Sequence, residues 1–135
     1  MVVTPLYAAL LALWLLALSA RVIRERRAAR VSLGDGGNRK LQRAIRGHAN
    51  FVEYVPLALL MLAILELARF SIYLIHVFGI TLLCGRLLHG YALAFTMESR
   101  FGRSAGTALT FAVILVEAIL CLYQSYRAHL IWFVA

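Results

Sequence analysis

The chain alternates between long apolar runs and short polar intervals, and the lengths of the runs predict its elements. At ~1.5 Å per residue, about 20 mostly apolar residues form a helix that crosses the hydrocarbon core of a bilayer. Four segments meet that requirement, at residues 3–20, 49–68, 71–95 and 105–123. Helix is the required conformation, because a few open strands would leave unpaired backbone groups in lipid. The predicted fold class is therefore all-α, an integral membrane four-helix bundle occupying residues 1–135 as one domain.

The first run contains Leu6, Leu10, Leu11, Leu13, Leu15, Leu16 and Leu18, carries no ionisable side chain and is apolar on every face. A small pair, Ser19-Ala20, follows it, but no basic residue precedes it as a secretory leader requires, so it reads as a membrane anchor. In the interval 31–38, Gly34, Gly36 and Gly37 surround Asp35 and Asn38. These residues favour turns, so the first helix is expected to continue through the arginines and break there. Arg69-Phe70 joins the second and third runs as a tight antiparallel hairpin. The interval 96–106 carries Arg100 and Arg103 with Gly102 and Gly106.

Composition sharpens the membrane reading. The 135 residues are 63% hydrophobic and 15% charged, with a mean hydropathy of +0.83, which excludes a soluble enzyme and a disordered chain. The formal charge of +8 is local: Arg21, Arg24, Arg26, Arg27, Arg30, Arg39, Lys40, Arg43 and Arg46 fall in one stretch between two apolar runs. A juxtamembrane cluster of this kind sets topology and faces anionic headgroups rather than nucleic acid. The second interval holds only Arg69 and the tail only Arg127, so both basic connectors are expected on the cytoplasmic side and both termini outside. Cys84 and Cys121 lie in apolar runs, which argues against a disulfide.

Glu53, Glu66, Arg86 and Glu117 interrupt the hydropathy of the spans. A charge near the bilayer centre costs about 2.5–3.5 kcal/mol on insertion scales, so each needs a partner or water. Glu66 is expected to pair with Arg69 three residues on, and Arg86 with Glu117 across the third and fourth helices. The richest constellation opens the second helix, where Arg43, Arg46, Asn50 and Glu53 are spaced by three, four and three residues. On a helix they form one stripe of two cations, an amide and a carboxylate. Pro56 lacks an amide hydrogen and is expected to kink the helix beside it. The stripe fits either a polar network that holds helices together or a site for a zwitterionic ligand. Guanidinium groups would take carboxylates and Glu53 an ammonium. Glutathione matches that inventory, as do other small amino-acid derivatives and lipid headgroups.

In these residues the chain resembles the membrane-associated proteins in eicosanoid and glutathione metabolism (MAPEG), specifically their short bacterial members. The likeness rests on Arg46, Asn50, Glu53, Tyr54 and Pro56, on the run from Arg26 to Ser32, on Arg86-Leu87-Leu88-His89 and on Arg103-Ser104. It covers nearly the whole chain and implies a homotrimer in the bacterial inner membrane with glutathione as co-substrate, held between subunits. By position, Arg26, Arg46, His48, Asn50, Glu53 and Tyr54 would bind glutathione, and Arg103 would be the catalytic group beside the thiol. Arg27, Arg43, Arg86, His89 and Ser104 would be accessory, and no metal is implied. Leu93 stands where the eicosanoid-forming members have Tyr, so their substrate specificities do not carry over.

The role of Arg103 also has an independent physical basis. A free thiol titrates near ~8.5 and the thiolate is the nucleophile. A permanent guanidinium charge at contact distance favours the thiolate, at about 1.36 kcal/mol for each unit of lowering. The start of the fourth helix adds amide hydrogens and a dipole favourable to an anion, and Ser104 is expected as its N-cap. The predicted activity is glutathione transfer to a lipophilic small molecule, or peroxide reduction. The competing class is a non-catalytic trimeric scaffold or lipid-binding protein. A small multidrug exporter fits poorly, because the first run lacks the acidic residue such transporters use.

Overall fold

A computed structural model describes residues 1–96 and 100–134, apart from the side chains of 131–134. It contains four helices: α1 (Thr4–Ala29), α2 (Arg39–Leu67), α3 (Ile72–Ala94) and α4 (Arg100–Val134). Each is long and apolar enough to span a membrane, the shortest having 23 residues. Leu13, Leu16, Leu57, Leu60 and Leu115 are exposed on the outside of the bundle, a surface suited to hydrocarbon rather than water.

The helices outrun the apolar segments at their basic ends. Arg21 to Ala29 extend α1, as expected, and α1 closes at Arg30 with a left-handed φ of 55°. Then Gly34, Gly36 and Gly37 turn the chain at positive φ. By contrast, α2 begins ten residues before the apolar boundary. Asn38 caps it, its side chain accepting from the Lys40 and Leu41 amides, and Asn is among the strongest N-cap residues. Similarly, α4 begins at Arg100, so Arg100 and Arg103 belong to a helix rather than to a connector.

Packing follows the 3.6-residue period. The buried positions of α2 are Leu41, Ala44, Gly47, Phe51, Val55, Ala58, Leu62 and Leu65, a stripe at spacings of three and four. This stripe packs against α1, α3 and α4, whereas α1 and α4 make no contact with each other among the described residues. Two glycine contacts set the spacing of neighbours. A Cβ on Gly106 would lie 2.5 Å from the Gly85 carbonyl oxygen, and one on Gly79 would lie 2.2 Å from the Tyr7 ring. Only glycine allows α3 to approach α4 and α1 so closely.

Three sequence expectations change. Glu66 does not pair with Arg69, because α2 has already ended at Leu67 and Arg69 adopts a left-handed φ of 62° that breaks the helical spacing. Instead Glu66 caps α1: its carboxylate accepts from the amides of Val2, of Val3 at 2.9 Å and of Thr4 at 2.8 Å. Arg86 and Glu117 do not meet either. Arg86 reaches Gly106 on α4, and Glu117 lies three turns further on, about 16 Å along the helix at 1.5 Å per residue. Glu117 is 0% exposed, and neither carboxylate oxygen has a partner among the described residues. Finally, Ser104 is not an N-cap. It lies inside the first turns of α4, and its hydroxyl donates to the carbonyls of Arg100 (3.1 Å) and Phe101 (3.2 Å).

Candidate functional site

The polar stripe of α2 meets α3 and α4 at the basic end of the bundle, around a cavity of about 310 Å³ lined by Gln42, Arg43, Arg46, Asn50, His89, Leu93 and Arg103. A second, larger cavity of about 620 Å³ adjoins it through His89 and Arg103 and is otherwise lined by Arg100, Ser104, Thr107 and Ala108. Cations on two helices therefore surround the space, while Asn50 and His89 offer neutral hydrogen-bonding groups.

Arg86 is the brace beneath it. This side chain is only 2% exposed. Its Nη1 donates to Asn50 Oδ1 at 2.8 Å and its Nη2 to the Gly106 carbonyl at 3.1 Å, so one guanidinium ties α3 to both α2 and α4. The planar fork of Arg suits that task, and a lysine has no equivalent geometry. The Tyr54 ring lies 6.0 Å from the Arg86 guanidinium carbon, at the outer edge of cation–π range, and packs at 5.3 Å on Phe111. Because Asn50 Oδ1 accepts from Arg86, the amide nitrogen of Asn50 remains as the donor for a ligand.

His89, one turn beyond Arg86, fixes the start of α4. Its Nδ1 lies 3.1 Å from the Arg103 carbonyl and 3.0 Å from the Thr107 hydroxyl, which itself donates to that carbonyl at 2.9 Å. An Nδ1–H shared between the two oxygens satisfies all three groups, so the network assigns the proton to Nδ1 and leaves Nε2 as an acceptor. Nε2 is buried and unpartnered among the described residues. Thr107 escaped the sequence reading; its signal is its position four residues after Arg103, one helical turn along the same face.

The remaining predicted residues are brought to the crevice unequally. Arg46 and Glu53 are exposed and 3.9 Å apart, a loose pair open to competition by a ligand. Arg103 is exposed at the junction of the two cavities. Arg43 is turned toward α3, where its Nη2 donates to the Ala92 and Thr96 carbonyls at 2.9 Å each. His48 is half-buried and lines neither cavity, and Tyr54 and Glu53 also lie outside both. Arg26 is not brought to this site within one chain. It donates to the Ser32 and Gly34 carbonyls and, with Arg27, lines a separate cavity of about 420 Å³ beyond α1.

Four membrane-length helices with an arginine-rich crevice at one end define a small multi-pass membrane protein. A match to the MAPEG family covers residues 4–123, and the chain belongs to that family. It is similar to inner membrane protein YecN of Escherichia coli K12, with 41% identity over 114 residues that span 84% of this chain and 86% of the relative. The protein of the same name from Escherichia coli O6:H1 matches to the same extent. Relatedness and the four spans together make this a multi-pass protein of the inner membrane.

Proposed function

We propose that this chain is a glutathione-dependent membrane enzyme acting on lipophilic electrophiles through an arginine-stabilised thiolate. The observation that carries the reading is the 310 Å³ cavity in which Arg46, Asn50, His89 and Arg103 converge from three helices. Arg46 takes a glutathione carboxylate, the Asn50 amide nitrogen donates to its peptide oxygen, and Glu53, outside the cavity but 3.9 Å from Arg46, exchanges that loose partner for an ammonium that projects beyond the cavity. Arg103 then lies beside the thiol at the first turns of α4, where helix amides add to its field. The thiolate attacks the electrophilic carbon of the second substrate and the leaving group departs with the bonding electrons. With a lipid hydroperoxide, two glutathiones become the disulfide as the peroxide is reduced to alcohol and water. The larger cavity on the exposed face of α4 receives the apolar partner from the bilayer. Assembly as a homotrimer brings Arg26 and Arg27 of a neighbouring copy to the crevice, and the basic connectors face the cytoplasm.

The test is calorimetric titration of the detergent-solubilised protein with glutathione, paired with the ultraviolet absorbance of its thiolate. Arg103→Ala is expected to retain binding and lose the thiolate signal. Glu53→Ala is expected to weaken binding about 10–100-fold, the equivalent of one charge-assisted hydrogen bond. Absence of glutathione binding at millimolar concentration overturns the proposal. The engagement of Arg43 and Arg86 within the chain favours a second reading, a non-catalytic scaffold or lipid-binding protein. Intact binding with no turnover of chlorodinitrobenzene or cumene hydroperoxide selects it.

A further inference from the structure

Arg43 is a wall between two cavities, and the second has a different chemistry. On its far side, between the ends of α1 and α3 and the start of α2, lies a space of about 200 Å³ lined by Arg21, Lys40, Arg43, Leu93, Phe95 and Thr96, among others. Three cations from two helices surround it, and among the described residues the carboxylate of Glu25 is paired with Arg21 at 2.8 Å. Arg21 Nε and Arg43 Nη2 cap the carbonyl end of α3, at Ala94 and at Ala92 and Thr96. Two donors remain. Arg43 Nε is buried without a partner, and the Lys40 side chain is exposed with no hydrogen bond or ion pair among the described residues.

We propose that this cavity binds the phosphodiester of an anionic glycerophospholipid. A phosphate pairs with the exposed Lys40 ammonium and with the guanidinium groups of Arg21 and Arg43 that line the cavity, and Arg and Lys are the natural pair for it. The volume lies below the ~300–1,000 Å³ typical of sites for drug-sized ligands, which suits a headgroup better than a tripeptide. Its surroundings mark the water–hydrocarbon boundary. Phe95 stacks with Tyr91 at 5.6 Å and packs tilted by 32° against Trp14 at 5.9 Å, and the Arg21 guanidinium lies 5.4 Å from the centre of the Phe95 ring. Aromatic rings grouped in this way anchor a membrane protein at headgroup level, so acyl chains leaving the cavity run down the exposed flank of Tyr91 and Phe95. A choline headgroup adds a cation to a cationic wall and is disfavoured.

The experiment is native mass spectrometry of the full-length protein released from detergent after equilibration with phosphatidylglycerol or phosphatidylcholine. Phosphatidylglycerol is expected to be retained in preference to phosphatidylcholine. One surface cation is worth ~1 kcal/mol toward anionic lipid, about fivefold in affinity. Lys40→Gln is therefore expected to lose ~5-fold and Lys40→Glu ~25-fold. Arg24→Glu, an exposed change outside the cavity, controls for general surface charge and is expected to move affinity far less. Equal retention of the two lipids, or equal effects of Lys40→Glu and Arg24→Glu, overturns the proposal. Displacement of phosphatidylglycerol by inorganic phosphate also overturns it, since the site then reads a free anion. Glutathione affinity of Lys40→Gln is expected to stay at the native value, because Lys40 does not line the other cavity.

Discussion

Replacing Gly106 with alanine puts a methyl group 2.5 Å from the Gly85 carbonyl oxygen, 2.7 Å from His89 Cβ and 2.8 Å from the His89 backbone nitrogen. Two of those atoms are main chain of α3, so no rotamer change relieves the overlap. The helices must part by about 1 Å to restore ordinary van der Waals separation. Overpacking of this kind costs about 1–3 kcal/mol. The same displacement stretches the Arg86 bond to the Gly106 carbonyl and the His89 bond to the Arg103 carbonyl, each 3.1 Å in the native chain. At about 1 kcal/mol per bond, the total comes to about 3–5 kcal/mol, or roughly 10–20 °C in melting temperature for a chain of this size. Thermal melts followed by circular dichroism in detergent measure it. Gly79→Ala is the control: it meets the Tyr7 ring between α1 and α3, so it lowers stability without altering glutathione affinity, whereas Gly106→Ala lowers both. A Gly106→Ala melting temperature within about 2 °C of native would refute the close α3–α4 contact as the support of the crevice.

Two further outcomes follow from the charges inside the spans. Glu117→Leu is expected to raise stability by about 1–3 kcal/mol in the same melts, because an apolar side chain removes two buried oxygens that have no partner among the described residues; a lower melting temperature sinks that account. Glu66→Ala is expected to free the first turn of α1, seen as faster hydrogen exchange at the Val3 and Thr4 amides with the rest of α1 unchanged, and unaltered exchange contradicts the cap.

The four spans were legible because a run of about 20 apolar residues has few alternatives to a membrane helix. The break after α1 was legible from its glycines. Hydropathy misplaced the starts of α2 and α4, since it marks where the bilayer ends rather than where the helix does; Asn38 was the better signal for α2. The spacing of Arg46 and Asn50 correctly put them on one face, and the structure lines one cavity with both. Partners across helices were not legible. Whether Arg86 meets Asn50, Gly106 or Glu117 depends on the relative height of neighbouring helices, which close glycine contacts fix and a single helix period does not encode. Arg43 belonged to the predicted stripe but turned to α3, because the unpaired carbonyls at the end of that helix compete for a nearby donor.

That α1 and α4 stand on opposite flanks of the central pair has a genetic corollary. Arg26 and Arg103 line separate cavities within one chain, so under the proposed function they meet one glutathione only as residues of different subunits. If both are needed, co-expressing a subunit damaged at Arg26 with another damaged at Arg103 regenerates some intact clefts at mixed boundaries, so two inactive alleles complement each other. In the proposed homotrimer, damage to both positions in the same polypeptide, mixed with wild type, has no such route to rescue and instead poisons the neighbours it joins.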